Sequence, residues 1–173
     1  MKKVEYDGET YIYNNGKWLT SNYATAPLSI AGKLNAKLLS EENFEEKSVA
    51  ELVEIIDNSR NDDNILLAAK LLEIAMDKGT LEEVRHLLPR LTSNYRKQGN
   101  SRKAIDTAKE YIDHHGKDII TAPLLTSVAA AYCDEEDYER ARAFANRAYA
   151  MSGGNGSPEL MGVYGRIKQL SGE

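Results

Sequence analysis

Cysteine occurs once in the 173 residues, as Cys133. A lone thiol excludes an intramolecular disulfide and a cysteine-built zinc site, and it makes a reducing cytoplasm the expected compartment. Proline is scarce at 4 and glycine modest at 12, which excludes collagen-like and low-complexity chains. No apolar run approaches the roughly 20 residues that a membrane-spanning helix needs. The amino terminus, MKKVEYDGETYIYNNGKW, has two lysines but then acids and turn residues where a signal peptide has its apolar stretch, so neither export nor a membrane partner is expected. Positive charge is not in excess either. The balance of 22 Lys and Arg against 27 Asp and Glu gives a net charge of −5, which argues against nucleic acid as the main partner, because phosphate neutralisation needs a broad basic face.

Catalytic signatures are missing as well. The glycine-rich stretch Ser152 to Ser157 lacks the lysine of a phosphate-cradling loop, and there is no glycine-serine-glycine elbow. A non-enzymatic chain with no cofactor and no metal is expected. What remains is 42% hydrophobic and 28% charged, an ordinary globular composition. A chain of this length buries roughly 70% of the surface its unfolded form exposes, enough for a core without staples.

Residues 1–26 read as a β appendage. Val4 to Tyr6, Glu9 to Tyr13 and Lys17 to Thr20 favour strands, and Asp7-Gly8 and Asn14-Asn15-Gly16 are hairpin turns, so the simplest arrangement is a hairpin or three-stranded meander. Strand alternation puts Tyr11 and Tyr13 on one face and Ile12 on the other, and admits Tyr6 and Trp18 to the tyrosine face. Two readings of that face stand. It is a recognition platform, since Tyr and Trp dominate binding hot spots, or it packs on the first two helices, since so small a sheet is marginal alone.

After Pro27 the period changes from two to about 3.6, and residues 27–173 read as a helical domain. Eight helices are expected, at about 28–39, 43–58, 64–78, 80–99, 101–115, 119–133, 137–151 and 158–171. The polar break Asn58 to Asp63 follows the second, and Thr80-Leu81-Glu82-Glu83 is a capping box opening the fourth. Ser157-Pro158-Glu159 gives the last helix a capping hydroxyl, a first-turn proline and an acid at its positive end.

Within this domain the chain repeats itself. Leu88, Leu91, Thr92, Tyr95, Ala104, Ala108 and Tyr111 recur 37 residues later as Leu125, Val128, Ala129, Tyr132, Ala141, Ala145 and Ala148. Large, small and aromatic residues on one helix, an acidic-aromatic turn at Asp137-Tyr138, and alanines on the next helix let paired helices approach closely. This pattern resembles the tetratricopeptide repeat family, whose helix-turn-helix unit is about 34 residues long. Copies fall at about 49–84, 85–121 and 122–157, with 158–171 as a capping helix. The resemblance is strongest over 122–151. The first copy is degenerate, with Ser59 where an aromatic is usual, and Tyr111 replaces a usual alanine in the second.

The resemblance implies a right-handed superhelix of antiparallel helix pairs, and a partner protein or peptide held in a concave groove lined by the first helix of each pair. By position that groove takes His86, Pro89, Arg90, Ser93, Arg96 and Lys97 from one unit and Thr126, Ser127, Ala130 and Cys133 from the next. The Lys and Asn pattern with which some members grip a terminal carboxylate is not reproduced, which argues against a receptor for chaperone tails.

Three other features each carry two readings. The run Arg85, His86, Arg90, Arg96, Lys97, Arg102, Lys103 contains no acid between Val84 and Ile105, and Arg90, Ser93 and Lys97 share a helix face. It suits an acidic peptide, or it is a solvated face. The acids Glu41, Glu42, Glu45, Glu46, Glu51, Glu54, Asp57, Asp62 and Asp63 suit the basic surface of a second copy, or they are solubilising surface. His114-His115 invites a metal, but adjacent helical residues diverge by about 100°, and both suit the negative end of a helix. The sequence thus points to a protein-binding adaptor. The alternatives are a self-assembling building block, forming a homo-oligomer, and a sensor of a small ligand or peptide.

Overall fold

The computed structural model describes residues 1–58 and 64–172. Ser59, Asp62 and Asp63, most of the polar break after Asn58, and Glu173 lie outside them. The described residues form a three-stranded antiparallel sheet followed by eight α-helices. They divide into two compact units, Met1–Gly79 and Thr80–Glu173. The division therefore falls at Gly79, whereas the change of periodicity had put it at residue 26.

In the first unit, β1 (Lys2–Tyr6), β2 (Glu9–Asn14) and β3 (Lys17–Thr20) run as a meander. Both turns have positive φ at two successive residues, Asp7-Gly8 and Asn15-Gly16, the geometry whose twist matches paired strands. Val4 pairs with Tyr11, and Tyr13 with Trp18, so these four side chains share one face. The sheet is completed by helices α1 (Leu28–Glu41), α2 (Val49–Asn58) and α3 (Ile65–Lys78), with Leu34, Leu38, Leu52, Leu67, Leu71 and Leu72 fully buried. The helix expected from 43 begins later. Phe44–Glu46 is a separate 3-10 turn with Phe44 buried, and Ser48 caps α2 reciprocally with Glu51. Lys78 donates to the backbone carbonyls of Glu45 and Lys47, holding the 3-10 turn against the end of α3.

The second unit contains α4 (Leu81–Lys97), α5 (Ser101–His115), α6 (Ala122–Asp134), α7 (Tyr138–Met151) and α8 (Pro158–Leu170). Thr80 and Glu83 form the expected capping box, and Ser157 caps α8 through the Leu160 N–H. Gly116–Ile119 forms a 3-10 turn, so α6 starts at Ala122 instead of near 119, behind the cap of Thr121. The pairs α4/α5 and α6/α7 close with the same turn. Gly99 at φ 78° and Glu136 at φ 59° stand 37 residues apart. The next N–H donates to Tyr95 O in one pair and Tyr132 O in the other, each at 2.9 Å. Asn100 and Asp137 then cap the second helices through Lys103 N and Arg140 N. Close helix approach follows from alanines with no exposed surface: Ala104 and Ala108 on α5, and Ala141, Ala145 and Ala148 on α7. Buried leucines at Leu88, Leu91, Leu124 and Leu125 fill the seams, each contributing about 2 kcal/mol by removal from water.

Candidate functional site

Helix α4 carries the most distinctive polar face of the second unit. His86, Arg90, Ser93 and Lys97 recur at spacings of four, three and four, one above another along the helix. His86 and Lys97 are exposed, and Arg90 and Ser93 half-buried. The opposite face of the same helix is apolar, with Val84, Leu87, Leu88, Leu91 and Tyr95 buried. Pro89 lies inside α4 and removes one backbone donor. The Thr92 hydroxyl bonds back onto the carbonyls of Leu88 and Pro89 in the same turn, at 3.1 and 3.0 Å.

The α6 half of the expected groove is closed to solvent. All ten residues from Leu124 to Cys133 are buried, because α6 packs against α4, α5, α7 and α8. Thr126 and Ser127 retain 9% of their surface each, and Ala130 and Cys133 less. Their polar atoms are already used: Thr126 donates to Ala122 O at 2.8 Å, and the Ser127 and Thr92 hydroxyls are hydrogen-bonded to each other at 3.0 Å. Thr126, Ser127, Ala130 and Cys133 are packing residues here, so the expectation that they line a groove is corrected. Burial pushes the Cys133 thiol above its ordinary range, against nucleophilic use.

On the sheet, the aromatic face divides. Trp18 is 1% exposed and Tyr11 is buried, so neither is presented as a platform. Tyr13 is half-buried with its ring 5.1 Å from that of Trp18, and burial together with nearby Glu42 raises its hydroxyl to about 12. Tyr6 is half-buried like Tyr13, its ring 5.8 Å from the Lys33 ammonium.

Two polar clusters were not anticipated from sequence. In the first unit, Trp18 Nε1 donates to Asn35 Oδ1 at 2.8 Å. Asn35 Nδ2 donates to Asn64 Oδ1 at 2.5 Å, and Asn64 Nδ2 donates to Asn35 Oδ1 at 2.9 Å and to Gly16 O at 3.1 Å. The two amides therefore pair reciprocally, and the indole fixes which way Asn35 points. Asn64 occupies the cap position of α3, yet its side chain makes no cap bond because this network takes it.

In the second unit, Asp134 ends α6 and binds Arg96 of α4 at 2.7 Å, Arg166 of α8 at 2.6 Å and Ser101 of α5 at 2.7 Å. Partial burial works to raise its carboxyl. Hydrogen bonds from Arg96, Arg166 and Ser101 outweigh that and hold it below the usual carboxylate range. Arg96, expected to line the groove, is thus committed to a helix junction. A sequence signal existed only in outline: an acid at the end of α6, with arginines far away in the chain.

His114 and His115 lie at the end of α5 with ring centroids 4.7 Å apart, and His115 stacks on Tyr111 at 5.8 Å. Among the described residues no group of three or more His, Cys, Asp or Glu is placed to hold a metal ion. A shallow depression along α5 is lined by Asp106, Lys109, Glu110, Asp113 and His114. No helix among the described residues is long and apolar enough to cross a membrane. The chain matches no family model and no curated protein.

Proposed function

We propose that this chain is a non-catalytic adaptor of tetratricopeptide-like architecture that binds a segment of a partner protein along α4. The observation that carries the reading is the stripe of His86, Arg90, Ser93 and Lys97 on one face of a helix whose other face is buried in the unit. Support for the architecture comes from the two helix pairs, whose closing turns share hydrogen bonds at a spacing of 37 residues. Cationic donors with a hydroxyl between them suit an acidic segment, since charge-assisted bonds to carboxylates are the stronger kind. The surface is narrower than sequence implied, because the α6 residues expected in it, Thr126, Ser127, Ala130 and Cys133, are buried.

The test is affinity capture with the intact chain beside a variant in which Arg90→Glu and Lys97→Glu are combined. A partner retained by the first and lost by the second is expected, with both proteins giving the same circular dichroism. Recovery of the same proteins by both would remove α4 from the account.

Self-association is the second reading, and exposed apolar residues favour it. Met151 near the end of α7, and Met161 and Leu170 on α8, are each 52% exposed. Sedimentation showing monomer alone over a wide concentration range would dispose of it.

A further inference from the structure

The sequence contains two Asn-Gly pairs, Asn15-Gly16 and Asn155-Gly156, and the structure gives them opposite surroundings. We propose that Asn155 is a site of spontaneous covalent modification, converting to aspartate and isoaspartate through a cyclic imide with Gly156. The backbone nitrogen of Gly156 attacks the Asn155 side-chain carbonyl carbon, the new C–N bond closes a five-membered ring, and ammonia leaves carrying the amide proton. Water then opens the ring at either carbonyl. Opening at the side-chain carbonyl leaves aspartate, and opening at the backbone carbonyl leaves a chain that runs through the side chain. No enzyme, oxidant or cofactor is required, and no step consumes anything but water.

Ring closure needs the glycine nitrogen free and the asparagine backbone able to rotate. Asn155 is exposed and lies between the end of α7 and the Ser157 cap of α8, outside both helices. The Gly156 N–H donates to no acceptor among the described residues. Gly153 and Gly154 precede it at φ 68° and 82°, and a chain with glycines on both sides has the widest conformational range available.

Asn15-Gly16 is held instead. Both residues sit at positive φ, 46° and 82°, in a turn closed by the Asn14–Lys17 pair. Gly16 is buried and its carbonyl accepts from Asn64. Rotation there requires the hairpin to open first.

The experiment incubates the full chain, folded and in parallel in guanidinium, in mildly alkaline buffer at 37 °C, and follows tryptic peptides 148–166 and 4–17 by mass spectrometry. In the folded chain, conversion at Asn155 is expected to run at least about tenfold faster than at Asn15, because local opening limits the second. In guanidinium the two rates are expected to converge. The variant Asn155→Gln should lose the fast reaction and keep the slow one. Equal rates in the folded chain, or an intact Asn155 while the unfolded control reacts, would overturn the proposal.

Discussion

The two units solve one problem, holding elements distant in sequence, with opposite chemistry. In Met1–Gly79 the tie is neutral and sealed: Asn35 and Asn64 are 4% and 1% exposed, and no charge takes part. In Thr80–Glu173 the tie is ionic and wet at its edge, with the Asp134 side chain 26% exposed between Arg96 and Arg166. A neutral network is indifferent to acid and salt, but every buried donor must be met. An ionic one tolerates imperfect partners and depends on the protonation of one carboxyl. The difference teaches where each unit is vulnerable.

The neutral tie should break hardest. Asn64→Leu leaves the Asn35 Nδ2 donor and the Gly16 carbonyl buried without the partners that Asn64 supplied, while Trp18 keeps its bond to Asn35 Oδ1, at a cost of about 3 kcal/mol. Hydrogen exchange of peptides covering β2, β3 and α1 should rise steeply while those covering α6 stay protected. Unchanged protection of β2 and β3 would deny the network its structural role.

Next comes Asp134→Asn, which keeps the shape and removes the charge, with an expected loss of about 2 kcal/mol at neutral pH after allowing for partial exposure. The sign follows from the depressed carboxyl. Its contribution is present above the unfolded value of about 4 and is lost as pH falls through the lower folded value. Acid melts of the natural chain should therefore fall in that window, and the variant should show a flatter limb. Equal acid limbs would show that Asp134 is not the titrating tie.

The smallest effect sharpens the contrast from the alkaline side. Tyr13, raised to about 12, favours folding in its neutral form. That contribution is complete below about 10, the unfolded value, and is lost as pH rises through about 12. Tyr13→Phe should gain about 1 kcal/mol over the natural chain at a pH near 11, since one pKa unit corresponds to about 1.4 kcal/mol. Alkaline titration followed by circular dichroism would show it, and parallel curves would remove Tyr13 from the balance.

Local structure was largely legible in the sequence, because local rules govern it. The hairpin turns at Asp7-Gly8 and Asn15-Gly16, the capping box at Thr80 and the alanine seams of α5 and α7 each depend on residues close in the chain or on a fixed period. Where a second local signal competed, boundaries moved: Ser48 and Glu51 took over the start of α2, and Thr121 that of α6. The candidate surface was half legible. The α4 stripe follows from helical spacing alone, but the burial of Thr126, Ser127, Ala130 and Cys133 depends on α6 being surrounded by four other helices, α4, α5, α7 and α8. Periodicity marks which face of a helix is small or polar, and it carries no information about how many neighbours that helix acquires. Likewise, nothing local to Asn35 or Asn64 announces that they pair.

The reciprocal amides have a consequence for heredity. Each asparagine presents one acceptor and one donor to the other, so the pair reads like two letters of a complementary alphabet, and a change in either spoils the match for both. A single step away from Asn at 35 or 64 therefore costs both partners at once, and the least costly change replaces the two together with a matched or wholly apolar pair.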